Sequence, residues 1–545
     1  MATLIPKYDQ GATGAVNRPF TQKLAETISV KDFGAVGDGS TDDTAAIQAA
    51  LTASVGKTLL MNNGTYIITN LTIPSNIKWV FDISAILKLK DNTDITSNHQ
   101  TVSGSTVSNV AIYGLKLDGN KANNPGAGAN DWSGVQYATG LRFTNSTEIT
   151  IDGFEIYNCT AQGLLLMSCA RCSVLNGIAH DNATVGFETG WDGSVKCTYL
   201  TVDGVTSYDN SSLNNTGYDG FFIEHTQHSA FSNLIAYYSS AVAYLGGGSG
   251  FKVINCDYNS FSNLVCNNNQ WQGFHLENST YNTVSAIQAC NNGFAAFAGA
   301  GYGIYVVGTS LFNTLSGIIS KSNFIAGIGV TQYSASNNVF NAPVVSSNPY
   351  GAIIKASATS IVGGNFRDNT TSNIEFQLDG ANPAPTSCAI IGNNIYGVTS
   401  IGVSNQTAST IDGTVFDGNI LNIASAYFGS YLNCYIDGNV FTEVGSGGSA
   451  PAFQNSWQQE GGIYELLAFN KDSTGNVNIR GDVKTGSAGT VVFTLPTGYR
   501  PSLRQDFITG LGGGLNYCYI LNTGEVYVGT KGSSIVPLNY SFKVT

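Results

Sequence analysis

The chain has 545 residues and a formal net charge of −12, with 42% hydrophobic and only 11% charged residues. This acidic balance, with no basic run, repels a phosphate backbone, and nucleic acid is not an expected partner. No stretch approaches the ~18 consecutive apolar residues of a membrane span, which excludes insertion by a helix.

Residues 1–27 are polar, Gly-containing and unpatterned, as in a flexible or partner-bound tail. Met1-Ala2-Thr3-Leu4 lacks the charged and apolar regions of a secretory leader, so synthesis and folding in a cytoplasm are expected. From Val30 to Thr44, Gly and Asp make a turn. Thr41 is expected as the N-cap of a short helix near 41–53, with Asp42 and Asp43 in its first turn. Ala46, Ile47, Ala50 and Leu51 fall on one face of that helix. Such a helix can cap a β-coil, whose first rung would otherwise expose apolar side chains and unpaired strand edges.

The run Asp32-Phe33-Gly34-Ala35-Val36-Gly37-Asp38-Gly39-Ser40-Thr41-Asp42-Asp43-Thr44-Ala45-Ala46-Ile47-Gln48 resembles the opening signature of the pectate-lyase-like superfamily. The tail from Ile5-Pro6-Lys7-Tyr8 to Asn17-Arg18-Pro19-Phe20 resembles the short N-terminal anchors of bacteriophage tailspikes. Together these resemblances imply a tailspike depolymerase of a bacterial capsular or O-antigen polysaccharide. They further imply a homotrimer in the virion tail, joined through residues 1–27 to another tail or adaptor protein. The superfamily also holds pectinases and epimerases. The calcium-binding Asp cluster and Arg of true pectate lyases have no match here, and neither a metal nor a cofactor is expected.

From about 55 to 445 the chain cycles through strand and turn. Gly140, Gly163, Gly186, Gly220, Gly250, Gly273, Gly303, Gly327 and Gly351 recur at spacings of 23, 23, 34, 30, 23, 30, 24 and 24 residues. Each precedes an apolar residue, and the chain is apolar again two residues later in every case but Thr189. A strand pattern recurring at this period marks stacked units that bury a core only through their neighbours. The Leu/Asn consensus of leucine-rich repeats is absent. The expected fold is all-β, a right-handed parallel β-helix over 28–445. Phe231-Ser-Asn-Leu234, Phe261-Ser-Asn-Leu264, Tyr281-Asn-Thr-Val284 and Phe312-Asn-Thr-Leu315 read as echoes of a second strand. Their apolar members are expected to stack inside, and their Asn residues to form ladders at turns. Asp118-Gly119-Asn120-Lys121 opens a long polar loop reaching Trp132. The ten cysteines are expected as reduced, buried thiols. Cys169-Ala-Arg-Cys172 has redox or half-zinc spacing, but no second pair accompanies it.

The period stops near Gly445-Ser-Gly-Gly-Ser-Ala-Pro451, an expected domain junction. Strand alternation returns around Val491-Val492-Phe493, Tyr517-Cys518-Tyr519-Ile520 and Val526-Tyr527-Val528. Leu495-Pro496-Thr497-Gly498-Tyr499-Arg500-Pro501 resembles a segment near the C-termini of phage fibres. That resemblance implies a small β-sandwich-like domain over 446–545, for trimerisation or sugar binding.

The repeat alignment locates a site. If the first and third residues after each Gly face in, the second and fourth face out. Glu188, Phe222, Lys252, His275 and Tyr305 then share one outward column, and Gly190, Glu224, Ile254, Glu277 and Val307 the next. The three longest repeats begin at Gly186, Gly220 and Gly273, and their extra residues can wall a cleft. With rungs ~4.8 Å apart and ~6.6 Å per two residues of strand, the Glu188 and Glu224 backbones lie roughly 8 Å apart and those of Glu224 and Glu277 roughly 9.6 Å. Such carboxyl separations suit inverting glycoside hydrolysis by an acid and a water-activating base. Glu224 is the first candidate for that pair, with Glu188 or Glu277 as its partner. Asp192, Asp219 and Asp257 lie in the flanking turns, and Trp191, Tyr218 and Trp271 beside them suit sugar stacking or partial burial. Lys252 and His275 could instead neutralise a uronate, with His275 or a Tyr as base, which is lyase chemistry. Outward carboxylates on a solenoid also often do no more than face water, and a non-catalytic adhesin is a third reading. Gly246-Gly247-Gly248-Ser249-Gly250 lacks the Lys-Ser/Thr of a phosphate loop, and no GxSxG elbow is present.

Overall fold

The computed structural model describes residues 7–93, 100–124, 139–191, 193, 195–210, 219–237, 248–293, 301–380, 382–405, 411–425, 431–432, 435–437, 440–441, 454–459, 467–471, 476–495, 498–511 and 514–544. The chain divides into two compact units, Met1–Gly329 and Val330–Thr545.

The first unit is a parallel β-helix. The tail leading into it has structure of its own. Lys7–Tyr8 pairs antiparallel with Arg18–Pro19, and Phe20–Leu24 forms a helical turn. Thr27–Ser29 already pairs in parallel with the 58–61 strand. The capping helix spans Thr44–Ala53 and buries Ile47, Ala50 and Leu51. Its N-cap is Asp43, not Thr41, which belongs to the extended Asp38–Asp42 segment. The Asp43 carboxylate is drawn away from the helix by the Val36 and Gly37 N–H groups, at 2.6 and 3.0 Å. Asp38 closes the preceding loop by accepting from Ser40 N–H, Thr41 N–H and the Thr41 hydroxyl.

Each coil then contributes equivalent strands to continuous parallel sheets. Thr139–Thr144, Leu164–Met167, Phe187–Gly190, Phe221–Glu224, Phe251–Ile254, Phe274–Glu277 and Tyr302–Val307 stack in order. Leu141, Leu164, Phe187, Phe221, Phe251, Phe274 and Ile304 are in register and fully buried, as are the residues two positions later, Thr189 included. The Phe221 and Phe251 rings stack at 4.6 Å, close to the rung spacing of ~4.8 Å. Thr189 is satisfied inside by the Thr226 hydroxyl at 2.8 Å.

The recurrent glycine is required by crowding. A Cβ on Gly163 would stand 2.7 Å from the carbonyl oxygen of Gly186 on the next coil, and one on Gly273 would stand 2.6 Å from that of Gly303. Buried asparagines run beside this column. Asn259 donates to Asn282 and Asn282 to Asn313; Asn269 donates to Asn292 and Asn292 to Asn323, all at 2.9–3.1 Å. These ladders satisfy turn backbone that would otherwise be orphaned in the core.

One expectation fails by three residues. Phe231 pairs with Phe261 and Phe261 with Val284, which pairs with Leu315. Tyr281 and Phe312 are therefore not the inward echoes of Phe231; both are 47% exposed at the preceding corner. Nine described cysteines are free thiols, and all but Cys290 are buried.

In the second unit, Val339–Asn341, Ser360–Val362, Ala389–Ile391, Val415–Asp417 and Tyr435–Asp437 continue a parallel ladder of their own. Beyond 454 the strands become antiparallel. Thr490–Thr494, Glu525–Thr530, Gly514–Ile520 and Gln505–Leu511 form one sheet in that order. Trp457, Phe493, Cys518 and Val526 centre its core. The junction expected at 445–451 lies outside the described residues.

Candidate active site

Register aligns the candidate residues. In the first unit Arg142, Leu165, Glu188, Phe222, Lys252, His275 and Tyr305 are paired one to the next along one column. Two residues further along the strands lie Gly190, Glu224, Ile254, Glu277 and Val307. Because their neighbours on either side are core residues, both columns face outward.

Glu188 faces outward yet is only 7% exposed. Burial pushes its carboxyl up to about 8, and Glu224 and Asp219 push the same way. A hydrogen bond with Gln162 and the Arg142 charge oppose them without prevailing. Glu188 therefore carries a proton at neutral pH. Asp219 is also buried and accepts the Ser249 N–H at 2.7 Å. Burial raises it to about 6, against the pull of Lys252. Glu224 is raised by burial too, and His225 and Lys252 counter that. Its Oε1 lies 3.3 Å from His225 Nδ1. The upper end of the face thus sets a proton-bearing acid on the rung next to a more exposed carboxylate, which are the two parts a general acid–base pair needs.

The lower end differs. His275 is 6% exposed, and neither ring nitrogen has a hydrogen-bond partner. Nε2 stands 3.4 Å from Glu277 Oε2 without the alignment of a hydrogen bond, the absence of partners holding among the described residues. Burial first, and then the Lys252 charge, lower His275 to about 3, so its imidazole is neutral at physiological pH. Lys252 precedes it on one rung, its Nζ 5.8 Å from the Phe222 ring centre. Tyr305 follows on the next rung, edge-on at 5.0 Å. A buried imidazole with open nitrogens between a cation and a phenol has the components for proton abstraction beside an anion. Among the described residues no group of three or more His, Cys, Asp or Glu side chains is placed to hold a metal ion.

Other candidates sit apart. Asp257 lies round the corner, held by Lys196 Nζ at 2.9 Å and the Thr280 hydroxyl at 2.8 Å. Burial would raise it, but these contacts outweigh burial and keep it below the ordinary carboxylate range. It forms an ion pair with Lys196. Trp191 is 42% exposed and packs on His225 at 4.6 Å. Trp271 is half-buried, and its backbone N–H donates to the Gly248 carbonyl. Asp192 and Tyr218 lie outside the described residues, as do 211–218, 238–247 and 294–300, where the long repeats carry most of their extra length, and 125–138 of the loop reaching Trp132. Arg142 and Gln162 are the neighbours that the repeat alignment overlooked. Arg142 holds the second place after Gly140, so extending the outward column two repeats back would have found it.

Residues 27–80 match the family model described as rhamnogalacturonase A/epimerase, pectate lyase-like. Mannuronan C5-epimerase AlgE5 of Azotobacter vinelandii is 30% identical over 228 residues, 38% of this chain and 21% of that one. The capsule K30/K69-specific depolymerase 1 of Klebsiella phage K5-2 is 29% identical over 263 residues, 44% of this chain and 30% of that one. Among solved structures, the tailspike of E. coli bacteriophage HK620 in complex with pentasaccharide aligns over 98% of this chain and 96% of its own, with 13% identity and a TM-score of 0.49. The chain spans less than a third of the length of both curated relatives. Its opening coil is pectate-lyase-like, and its sequence is similar to that of a phage capsule depolymerase as well as a mannuronan epimerase.

Proposed function

We propose that this chain is a phage tailspike depolymerase that hydrolyses a bacterial capsular or O-antigen polysaccharide on the outward face of its first unit. One observation carries the reading: Glu188, 7% exposed, stands one rung from the more exposed Glu224, and burial pushes its carboxyl up to about 8. Glu188 protonates the leaving glycosidic oxygen, and Glu224 activates the water that attacks the anomeric carbon. An idealised backbone separation of roughly 8 Å is compatible with a water between the two carboxyls and leans towards inversion. Similarity to the capsule depolymerase of Klebsiella phage K5-2 supports the substrate class. The same reading includes homotrimeric assembly, attachment to the virion tail through residues 1–27, a β-helix over 28–445 and an accessory role for 446–545.

A second reading rests on His275, whose ring nitrogens have no hydrogen-bond partner among the described residues. With a uronate polymer, Lys252 would neutralise the carboxylate and neutral His275 would take the C5 proton. The C4–O bond would then break, the departing oxygen taking a proton from water, to leave an unsaturated sugar. Similarity to a mannuronan C5-epimerase favours this chemistry. A panel of bacterial capsules, with fragments weighed by mass spectrometry, separates the two. Hydrolysis adds one water per cut and no ultraviolet chromophore; elimination adds the chromophore and no water. Glu188→Gln should abolish hydrolysis in a folded protein, and full activity in that variant would remove the assignment.

A further inference from the structure

Each coil of the first unit turns a corner between the site strand and the next, and one aligned position there lies in the left-handed region, on most coils together with a second residue three places earlier, such as Asn145, Ser168 or His225. On the four coils before the site that residue is Asn76, Asn109, Glu148 and Arg171. On the next five it is Tyr199, His228, Tyr258, Tyr281 and Phe312, with φ of 53–58°. Asparagine tolerates this backbone, whereas a bulky ring there is an outlier that needs a compensating gain. These five coils are the ones that carry Glu188, Glu224, Lys252, His275 and Tyr305. The five rings stack in a ridge at successive centroid distances of 5.7, 5.4, 5.0 and 5.2 Å, and all five stay exposed.

A groove of about 560 Å³ runs along the ridge. Its other wall is a column of exposed strand starts, Thr201, Ala230, Ser260 and Thr283, and no charged residue lines it. The ring faces are occupied by one another, so the ridge presents ring edges and the phenols of Tyr199, Tyr258 and Tyr281. Hydroxyls opposite apolar ring edges match the alternating C–H and O–H surface of a sugar chain. The corner is four residues from the site strand, no more than ~14 Å of extended chain from Glu224 to His228. A contact with a second copy of the chain would have no reason to stop where the site stops.

We propose that this ridge and groove form a second, non-catalytic track that holds the polysaccharide along the coil axis beside the site; this rests on the polysaccharide reading above. Tyr258→Asn with Tyr281→Asn tests it in the full chain, because asparagine suits the left-handed backbone and stands at Asn76 and Asn109. Binding is read by retardation in native gels cast with each capsular polysaccharide of the panel. Loss of these two exposed aromatics should weaken retardation about tenfold or more. It should also raise KM on long polymer while leaving kcat on short fragments near wild type. Unchanged retardation overturns the proposal, as does failure of every polysaccharide to retard the wild type. A lower molecular mass in sedimentation, with sugar binding intact, overturns it in favour of a contact between copies. If Glu188→Gln ends cleavage while the double variant binds like wild type, the track falls and the hydrolase stands. If the wild type binds through the ridge but never shortens a polysaccharide, the reverse holds.

Discussion

Glu188→Gln has a consequence beyond lost activity. The Glu188 carboxyl is moved from 4.5 to about 8 in the folded protein. Between those values the folded state keeps a proton that the unfolded state has released. Folding stability therefore falls as pH rises through this window, and the loss is complete above about pH 8. At ~1.36 kcal/mol per pKa unit the full penalty is about 5 kcal/mol, of which about 3 is already present at neutral pH. Glutamine keeps the shape and cannot ionise, so the variant escapes the penalty. Its stability advantage over wild type should be absent near pH 4, large at pH 7 and largest near pH 9. Urea unfolding of both proteins across that range measures it. An advantage that does not change with pH would show that Glu188 is not held protonated, and the general-acid role would fall with it. In wild type, depolymerisation should decline as pH rises through about 8, where the acid loses its proton.

Two further outcomes follow from the stack. Gly273→Ala places a methyl 2.6 Å from the Gly303 carbonyl oxygen and 2.8 Å from Asn292 Nδ2, and should cost about 1–3 kcal/mol in urea unfolding. Asn282→Ala removes the donor to Cys256 O at 2.9 Å and the acceptor for Asn259, and leaving buried polar groups unpaired should cost about 1–3 kcal/mol; the same loss from an exposed ladder residue such as Asn263 would refute the burial argument.

The coil was legible in the sequence because its cause is local and repeated. The glycine column marks where backbones crowd, and Phe221 and Phe251 mark what lies beneath. The same alignment placed Glu188, Glu224, His275 and Glu277 on one face. It could not show that Glu188 is buried, because burial depends on neighbours such as Gln162 and Asp219 that are remote in sequence. Thr41 was misread as a helix cap because it shares its chemistry with Asp43, and only the fold of the 36–43 loop decides between them. Tyr281 was misread as core because Tyr-Asn-Thr-Val and Phe-Ser-Asn-Leu match as strings, whereas the coil aligns Val284, three residues on, with Phe261. A ring in the left-handed region is invisible to alternation, so the aromatic ridge emerged only with the backbone.

Successive site strands keep one pairing although 23, 34, 30, 23 and 30 residues separate them, as from Leu164 to Phe187, Phe221, Phe251, Phe274 and Ile304. Every surplus residue must therefore leave the framework at a bend and come back to it. Mismatched segment lengths can be exchanged at those bends without disturbing the scaffold beneath. On the polysaccharide reading proposed above, a lineage facing a bacterial host that changes its coat could refit its grip by trading bends alone, while the supporting column descends unaltered.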